Sequence, residues 1–162
     1  MPYGGVTLQI HVGHLAAGLD FYTTLFGRGP DFSPHEDFFE WQVVAGAEVW
    51  WQIVVVSGQV RPMTNRSRLK VDDVRAATTW ARTLLKIEPS QVSTLPGVVS
   101  FVDFEDPWGN QLGFYEDLVS NGQKPPEPGG SVRDESLYIT DPPEAQLHSG
   151  AHARTSSLNP YG

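Results

Sequence analysis

The two halves of the chain share one apolar pattern, and this repeat limits the possible folds more than any other feature of the sequence. A shift of 59 residues places Ile10 on Leu69 and Leu15 on Val74, and the apolar positions of the two segments then coincide. Two long copies indicate a duplicated supersecondary unit, because a solenoid needs more and shorter repeats. A chain of 162 residues has room for two small modules that share one core.

Each copy has the same predicted order of elements, a strand, a helix and then further strands. Residues 6–12 alternate between polar and apolar side chains, as a half-buried strand does, and Gly27 supplies a stop for the helix that follows. The elements predicted in the first copy are strand 6–12, helix 15–26, a weak strand at 31–33, and the hairpin strands 38–44 and 48–56. Those predicted in the second copy are strand 68–71, helix 74–85, strand 98–104, a turn at 106–110 and strand 111–116.

The predicted organisation is a first module at 1–60, a second module at 61–118 and a tail at 119–162. The tail is rich in Pro, Gly, Ser and His and has little apolar period, so we expect much of it to lack regular structure. Within it, Ser136–Thr140 could form a strand that joins a sheet edge or lies across the modules.

Composition removes several classes of function. The chain has no cysteine, which excludes disulfides, thiolate nucleophiles and cysteine-bound zinc or iron–sulfur clusters. A formal charge of −8 repels phosphate-rich partners, so no nucleic-acid role is expected. The sequence contains neither a signal peptide nor an apolar run long enough to cross a bilayer, and we therefore expect a cytoplasmic protein without a membrane partner.

Two motifs lie on the matching elements of this duplicated pattern. The first helix carries Phe21-Tyr22 followed by Leu25-Phe26-Gly27, and the turn before the last strand is Asp106-Pro107-Trp108-Gly109-Asn110. Together they resemble the vicinal oxygen chelate superfamily, which includes glyoxalases, bleomycin-resistance proteins and extradiol dioxygenases. The resemblance covers about residues 5 to 117. It implies an α+β fold of two tandem βαβββ modules, whose curled mixed sheets surround a cavity.

The resemblance also shows where a metal ion would bind. Enzymes of this superfamily usually hold one divalent metal through His or Glu side chains, and the motifs place the equivalent positions at Thr7, Arg66, Gly113 and, less surely, Gln52. These residues offer no imidazole or carboxylate, and the arginine adds positive charge. We therefore expect no metal cofactor. His11, which shares a strand face with Thr7, is the candidate for hydrogen-bonding or acid–base chemistry.

Strand alternation predicts which side chains line the cavity. Flat aromatic rings together with a few directed polar groups are typical of a small-molecule pocket. The predicted ligand-binding residues are Thr7, Gln9, His11, Trp50, Gln52, Arg66, Phe101, Asp103, Gly113 and Tyr115. This set predicts a small-molecule pocket. The resemblance to bleomycin-resistance proteins implies that the protein binds or sequesters a small aromatic or antibiotic-like molecule, between the modules or at the interface of a homodimer.

Two other functions remain open from the sequence. One is a glyoxalase-like lyase, isomerase or dioxygenase, which would use a displaced metal site that includes His11, or metal-free catalysis by His11 with Asp103 or Glu48. The other is a dimeric interaction module whose aromatic residues pack the halves together and whose tail recruits a protein partner.

Other polar residues have simpler interpretations. Asp72-Asp73 precedes the second helix and is interpreted as a helix cap, while His14 lies in the link between strand and helix. His148 and His152 lie in the tail, where such histidines usually have no role.

Overall fold

The computed structural model describes residues 3–119 and 138–141. Its elements, in chain order, are β1 (Val6–Val12), α1 (Leu15–Phe26), β2 (Phe32–His35), β3 (Phe38–Gln42), β4 (Val49–Val55), β5 (Ser67–Lys70), α2 (Val74–Trp80) with a π-helical turn at Ala81–Leu85, β6 (Ser93–Leu95), β7 (Val99–Glu105), β8 (Gln111–Asp117) and β9 (Ile139–Thr140).

Each half of the repeat forms its own mixed sheet. The first sheet has the strand order β1-β4-β3-β2, and the second has the order β5-β8-β7-β6-β9. The first strand of each half lies parallel to the last strand of that half, and the other neighbouring strands are antiparallel. The predicted α+β fold of two βαβββ modules is therefore confirmed. The second sheet gains β9 from the C-terminal segment.

One face of each sheet packs against the helix of the same module. In the first module, Trp41 and Trp51 are almost completely buried, and their rings lie against Tyr22 and Phe26 of α1. In the second, Trp80 of α2 meets the sheet. Trp51 and Ile53 of β4 are both buried on this side of the sheet, opposite the predicted cavity-lining residues Trp50 and Gln52. Large aromatic side chains contribute much of the apolar area that stabilises such a core.

Each helix has an identifiable N-terminal capping residue, and the capping residues predicted at Gly27 and Asp72-Asp73 are among the residues that bound the helices. His14 is the N-cap of α1, and its Nδ1 atom accepts a 3.4 Å hydrogen bond from the Ala17 amide. Gly27 ends the helix with φ 68°, a left-handed conformation that costs glycine little. Asp73 caps α2 by accepting hydrogen bonds from the amides of residues 75 and 76. The predicted cap at Asp72-Asp73 is thus confirmed for Asp73.

Two local features differ from the sequence expectations. The predicted helix 74–85 ends in a π-helical turn, and strand β6 was not predicted. The segment Ser93–Leu95 is short and mostly polar, so no apolar alternation marks it, and pairing with β7 determines its conformation. In addition, no helix in the described ranges is long and apolar enough to cross a lipid bilayer.

The predicted turn at 106–110 also joins the two modules. Gly109 has φ 84°, and Asp106 Oδ1 accepts hydrogen bonds of 2.9 Å from the amides of Trp108 and Asn110. Asp106 Oδ2 accepts a 2.7 Å bond from the Tyr22 hydroxyl of the first module. Asn110 Nδ2 donates to the His11 carbonyl oxygen at 3.0 Å. This motif therefore stabilises the contact between the halves as well as its own turn.

Candidate functional site

Helix α1 covers one face of the first sheet, and the side chains of the opposite face point away from it. We call this surface the first open face. Its residues on β1, β3 and β4 include Thr7, Gln9, His11, Glu40, Gln42, Trp50 and Gln52. The strand register places Thr7 beside Trp50 and Gln9 beside Gln52, so these four predicted residues are neighbours.

A row of polar side chains crosses the first open face. Gln9 Nε2 lies 3.5 Å from Gln52 Oε1, and Gln52 Nε2 donates to Glu40 Oε1. The carboxylate fixes the orientation of the Gln52 amide, because only the nitrogen of that amide can donate to it. Directed donors and acceptors are thereby held in place across three strands.

Trp50 lies beside this row, two residues before Gln52 on β4, and is half-buried. Its Nε1 atom donates a 2.8 Å hydrogen bond to Glu48 Oε2, which holds the indole ring against the surface. An open groove of ≈ 450 Å³ runs beside the ring. Its walls are Gly4, Gly5, Val6, Thr7, Glu48 and Trp50. An aromatic ring fixed beside a groove is a suitable platform for a flat ligand.

The second sheet has an equivalent surface, which we call the second open face. Its residues on β5, β7 and β8 include Arg68, Lys70, Phe101, Asp103, Glu105, Gln111, Gly113 and Tyr115. Arg66 lies just before β5, and its guanidinium reaches the same surface. A hydrogen bond to Asp117 raises the pKa of Lys70, so this lysine remains a cation in the neutral range.

An ion pair occupies the centre of the second open face. Arg68 donates to both carboxylate oxygens of Asp103, from Nε at 2.7 Å and from Nη2 at 2.8 Å. Arg66 Nε lies 3.5 Å from the same carboxylate, and 61% of the Arg66 side chain is exposed. The Arg68 guanidinium also lies over the Phe101 ring, 4.1 Å from its centre. Two hydrogen bonds to one carboxylate fix the guanidinium and carboxylate planes relative to each other, so this ion pair is more rigid than one with a single contact.

Gly113 leaves the space in which this ion pair lies. A Cβ atom at this position would be 2.4 Å from the Val102 carbonyl oxygen, 2.9 Å from Asp103 Oδ1 and 3.0 Å from Arg68 Cγ. The first distance involves backbone, which cannot move away without disturbing β7. The close packing around residue 113 therefore requires glycine.

Comparison with solved structures shows which superfamily has this fold. A glyoxalase/bleomycin resistance protein from Catenulispora acidiphila is 28% identical, with a TM-score of 0.56, and the match covers 69% of this chain and 96% of that one. The chain has the fold of the vicinal oxygen chelate superfamily. The superfamily recognised from the sequence motifs is thus confirmed.

More distant structures share the fold of this superfamily. TnmS3, an antibiotic-binding protein from a Streptomyces species, is 19% identical with a TM-score of 0.57, and the match covers 72% of this chain and 97% of that one. The fosfomycin resistance protein FosX from Listeria monocytogenes is 16% identical with a TM-score of 0.59, and the coverages are 72% and 94%. Neither a scan of protein-family profiles nor a search of curated proteins finds a match.

The residues at the superfamily's metal-binding positions do not fit a divalent cation. Thr7 and Gln52 offer neutral oxygen atoms, Gly113 offers no side chain, and Arg66 brings a positive charge. The nearest carboxylate on the second open face, Asp103, already binds two guanidinium groups. Within residues 3–119 and 138–141, no group of three or more His, Asp or Glu side chains could hold a metal ion.

His11 lies on the first open face, as its alternation with Thr7 predicts, and it is half-buried. Its strand neighbour is Val54, and its carbonyl oxygen accepts the bond from Asn110. The imidazole makes no hydrogen bond to either carboxylate proposed as its catalytic partner. Glu48 binds the Trp50 indole instead, and Asp103 binds arginine. The structure therefore does not assemble the acid–base pair that the sequence left open.

The remaining predicted residues lie where strand alternation places them. Phe101 and Tyr115 are cross-strand neighbours on the second open face, where Asp103 and Gly113 are also paired. Whether any of these side chains contacts a ligand stays a prediction. His148 and His152 lie outside the described residues.

Sequence reasoning missed Glu40, Arg68 and Tyr138, which make side-chain contacts with predicted residues of the open faces. The alternation of β3 would have placed Glu40 beside Gln52, and Arg68 has the same parity as Arg66. Tyr138 had no such signal, because its position depends on where the C-terminal segment packs.

Proposed function

We propose that this protein binds a small, planar or partly aromatic molecule without a metal ion, in a cavity to which the open faces contribute. The observation that carries the proposal is the chemistry of the first open face. A fixed indole ring and oriented amides lie around Thr7 and Gln52, two of the positions at which metal-dependent relatives hold His or Glu ligands. Binding, rather than turnover, is the activity that these groups support.

Trp50 provides the aromatic surface of the proposed site. Its hydrogen bond to Glu48 holds the indole beside the groove, while the half-buried ring keeps part of its surface accessible. A ligand ring that stacks on this indole would gain about 1 kcal/mol beyond its burial. The indole needs no rearrangement to receive it, which lowers the entropic cost of binding.

The row formed by Gln9, Gln52 and Glu40 provides the polar groups of the proposed site. Their mutual hydrogen bonds hold donors and acceptors in fixed directions beside the aromatic platform. A few such groups in a largely apolar site set the orientation of a ligand and discriminate against molecules that leave them unpaired.

The structural neighbours agree with this proposal. One is named as an antibiotic-binding protein, another as a fosfomycin resistance protein, and a third as a glyoxalase/bleomycin resistance protein. An antibiotic-like ligand, sequestered within one chain or between the subunits of a homodimer, is accordingly the first class to test.

The direct test titrates the protein with metal-free bleomycin and a panel of flat heteroaromatic compounds, by calorimetry and tryptophan fluorescence. We expect Trp50→Ala to weaken binding by about tenfold, which corresponds to about 1.4 kcal/mol. Trp50→Phe, the matched control, keeps a ring at this position and should lose no more than about threefold. Circular dichroism and the melting temperature check that both variants fold. Unchanged affinity in Trp50→Ala, or a wild type that binds no compound with a Kd below about 1 mM, would contradict the proposal.

A chelator separates this function from the metal-dependent alternative. We expect EDTA to leave both the melting temperature and the ligand affinity unchanged, because no bound ion contributes to either. A stoichiometric divalent ion in the purified protein, accompanied by a fall in melting temperature after its removal, would instead favour an enzyme of the glyoxalase class.

A further inference from the structure

The C-terminal segment 138–141 lies along the free edge of the second sheet. Strand β9 pairs with β6 in antiparallel orientation, with Thr140 opposite Ser93. The Asp141 amide donates a 2.9 Å hydrogen bond to the Val92 carbonyl oxygen, which extends the pairing by one residue. Backbone hydrogen bonds of this kind protect an edge strand and fix the register of the added segment.

An ion pair holds the same segment to helix α2. Arg75 Nη2 donates to Asp141 Oδ1 at 2.9 Å, with 61% of the arginine side chain and 34% of the aspartate side chain exposed. An exposed pair contributes little stability by itself. Together with the strand pairing, however, it gives the segment a second point of attachment and a defined position.

This position brings Tyr138 onto the second open face. Thr140 lies opposite Ser93, which in turn lies opposite Phe101, so the alternation of the strand directs residues 138 and 140 to that face. The Tyr138 ring meets the Phe101 ring edge to face, with centres 5.7 Å apart. The Arg68 guanidinium also lies over the Phe101 ring, so the side chains of Arg68, Phe101 and Tyr138 form one contiguous group.

The group formed by Arg68, Phe101 and Tyr138 has surface available to a ligand. The side chain of Arg68 is 27% exposed, and residue Tyr138 is 37% exposed. Asp103 accepts hydrogen bonds from two of the five N–H donors of Arg68 and offsets part of the local positive charge. The planar guanidinium can stack on an aromatic ring, as it already does on Phe101. Tyr138 adds a ring edge and a hydroxyl group.

We infer that Tyr138 is a ligand-contacting, specificity-determining residue, and that the C-terminal segment completes the binding site on the second open face. The group formed by Arg68, Phe101 and Tyr138 would receive an aromatic ring that carries a hydrogen-bonding substituent. This inference rests on the proposed function, because it assigns a further contact to the same small-molecule ligand.

The test compares three variants by calorimetry with metal-free bleomycin and the same heteroaromatic panel. We expect Tyr138→Ala to weaken binding by about five- to tenfold, the scale of one aromatic contact. Tyr138→Phe should retain the ring contribution and lose only that of the hydroxyl. Ile139→Ala is the matched control, because Ile139 belongs to the same strand, is 60% exposed and points to the other face. Hydrogen exchange of the amides of residues 139–141 checks that the segment stays docked in each variant.

The outcomes distinguish this inference from the function on which it depends. Tight binding by the wild type with unchanged affinity in Tyr138→Ala overturns the role of Tyr138 and leaves the proposed function intact. An equal loss in Ile139→Ala, or loss of amide protection in Tyr138→Ala, shows that strand docking matters rather than a contact from Tyr138, and overturns the assignment. A wild type that binds no compound overturns both. Selective weakening in Tyr138→Ala, with the segment still docked, supports the inference.

Discussion

The two open faces differ most at the middle of their central strands, where Gln52 and Gly113 occupy equivalent places. The amide of Gln52 extends between its neighbours and links them through neutral and charged hydrogen bonds. Gly113 has no side chain, so Arg68 and Asp103 meet directly over the strand. The same backbone therefore supports a neutral row in one module and an ion pair in the other. Side-chain volume at one position decides which polar network can form.

Substitutions at these two central positions should give the largest difference in stability between the two faces. Gly113→Ala places a methyl group 2.4 Å from the Val102 carbonyl oxygen and should lower the free energy of unfolding by about 3 kcal/mol. Gln52→Ala, the matched variant, removes only partly exposed hydrogen bonds and should cost less than about 1 kcal/mol. Urea denaturation of both variants measures the difference. Equal losses of unfolding free energy would show that the packing around Gly113 can accommodate a methyl group.

The ion pair itself should have the next largest effect. Arg68→Met keeps much of the side-chain volume but leaves Asp103 without its bidentate partner, which we expect to cost about 2 kcal/mol of unfolding free energy. Gln9→Met is the equivalent change on the first open face, and it should cost less than about 0.5 kcal/mol because its 3.5 Å contact is weak. If the double variant Arg68→Met/Asp103→Leu recovers stability, the loss arises from the unpaired carboxylate.

A smaller effect is expected where the two modules meet. Tyr22→Phe removes the 2.7 Å hydrogen bond to Asp106 and should cost about 1.5 kcal/mol. Burial, reinforced by the Asp106 carboxylate, raises the pKa of Tyr22 above its usual 10.0. The neutral phenol is therefore the stable form in the fold, and its contribution is present below about pH 10 and lost as the pH rises above that value.

Thermal melts between pH 7 and pH 11 test the direction of this pH dependence. The stability advantage of the wild type over Tyr22→Phe should be constant at lower pH and shrink above about pH 10. A constant difference across the whole range would show that Tyr22 ionises in the folded state as freely as in the unfolded chain. A single melting transition in both proteins would show that the two open faces belong to one cooperative unit.

Much of the fold could be predicted because its signals are local. Helix α1 has the predicted bounds, since apolar spacing and a left-handed glycine both mark its end. Strand alternation also assigned the faces of β1, β4, β7 and β8. Strand β6 was missed because it has no pattern of its own and depends on its partner β7.

The site was only partly predictable, because its chemistry depends on contacts between distant segments. The sequence indicated that Arg66 would face the site, but the stronger partner of Asp103 is Arg68, and only the register of three strands shows this. The strand predicted at Ser136–Thr140 is present at Ile139–Thr140, while residues 136 and 137 lie outside the described part of the chain. No local signal shows that Tyr138 would meet Phe101.

The turn at 106–110 has a consequence for any attempt to divide the chain. Asp106 is only 4% exposed, and donors from both halves satisfy its carboxylate. If the chain were cut between the halves, the C-terminal piece would present this acidic group to water without its tyrosine donor, and the N-terminal piece would keep a buried phenol with no acceptor. Each piece should therefore be less stable when produced separately, and the native structure should be recovered when the two are mixed.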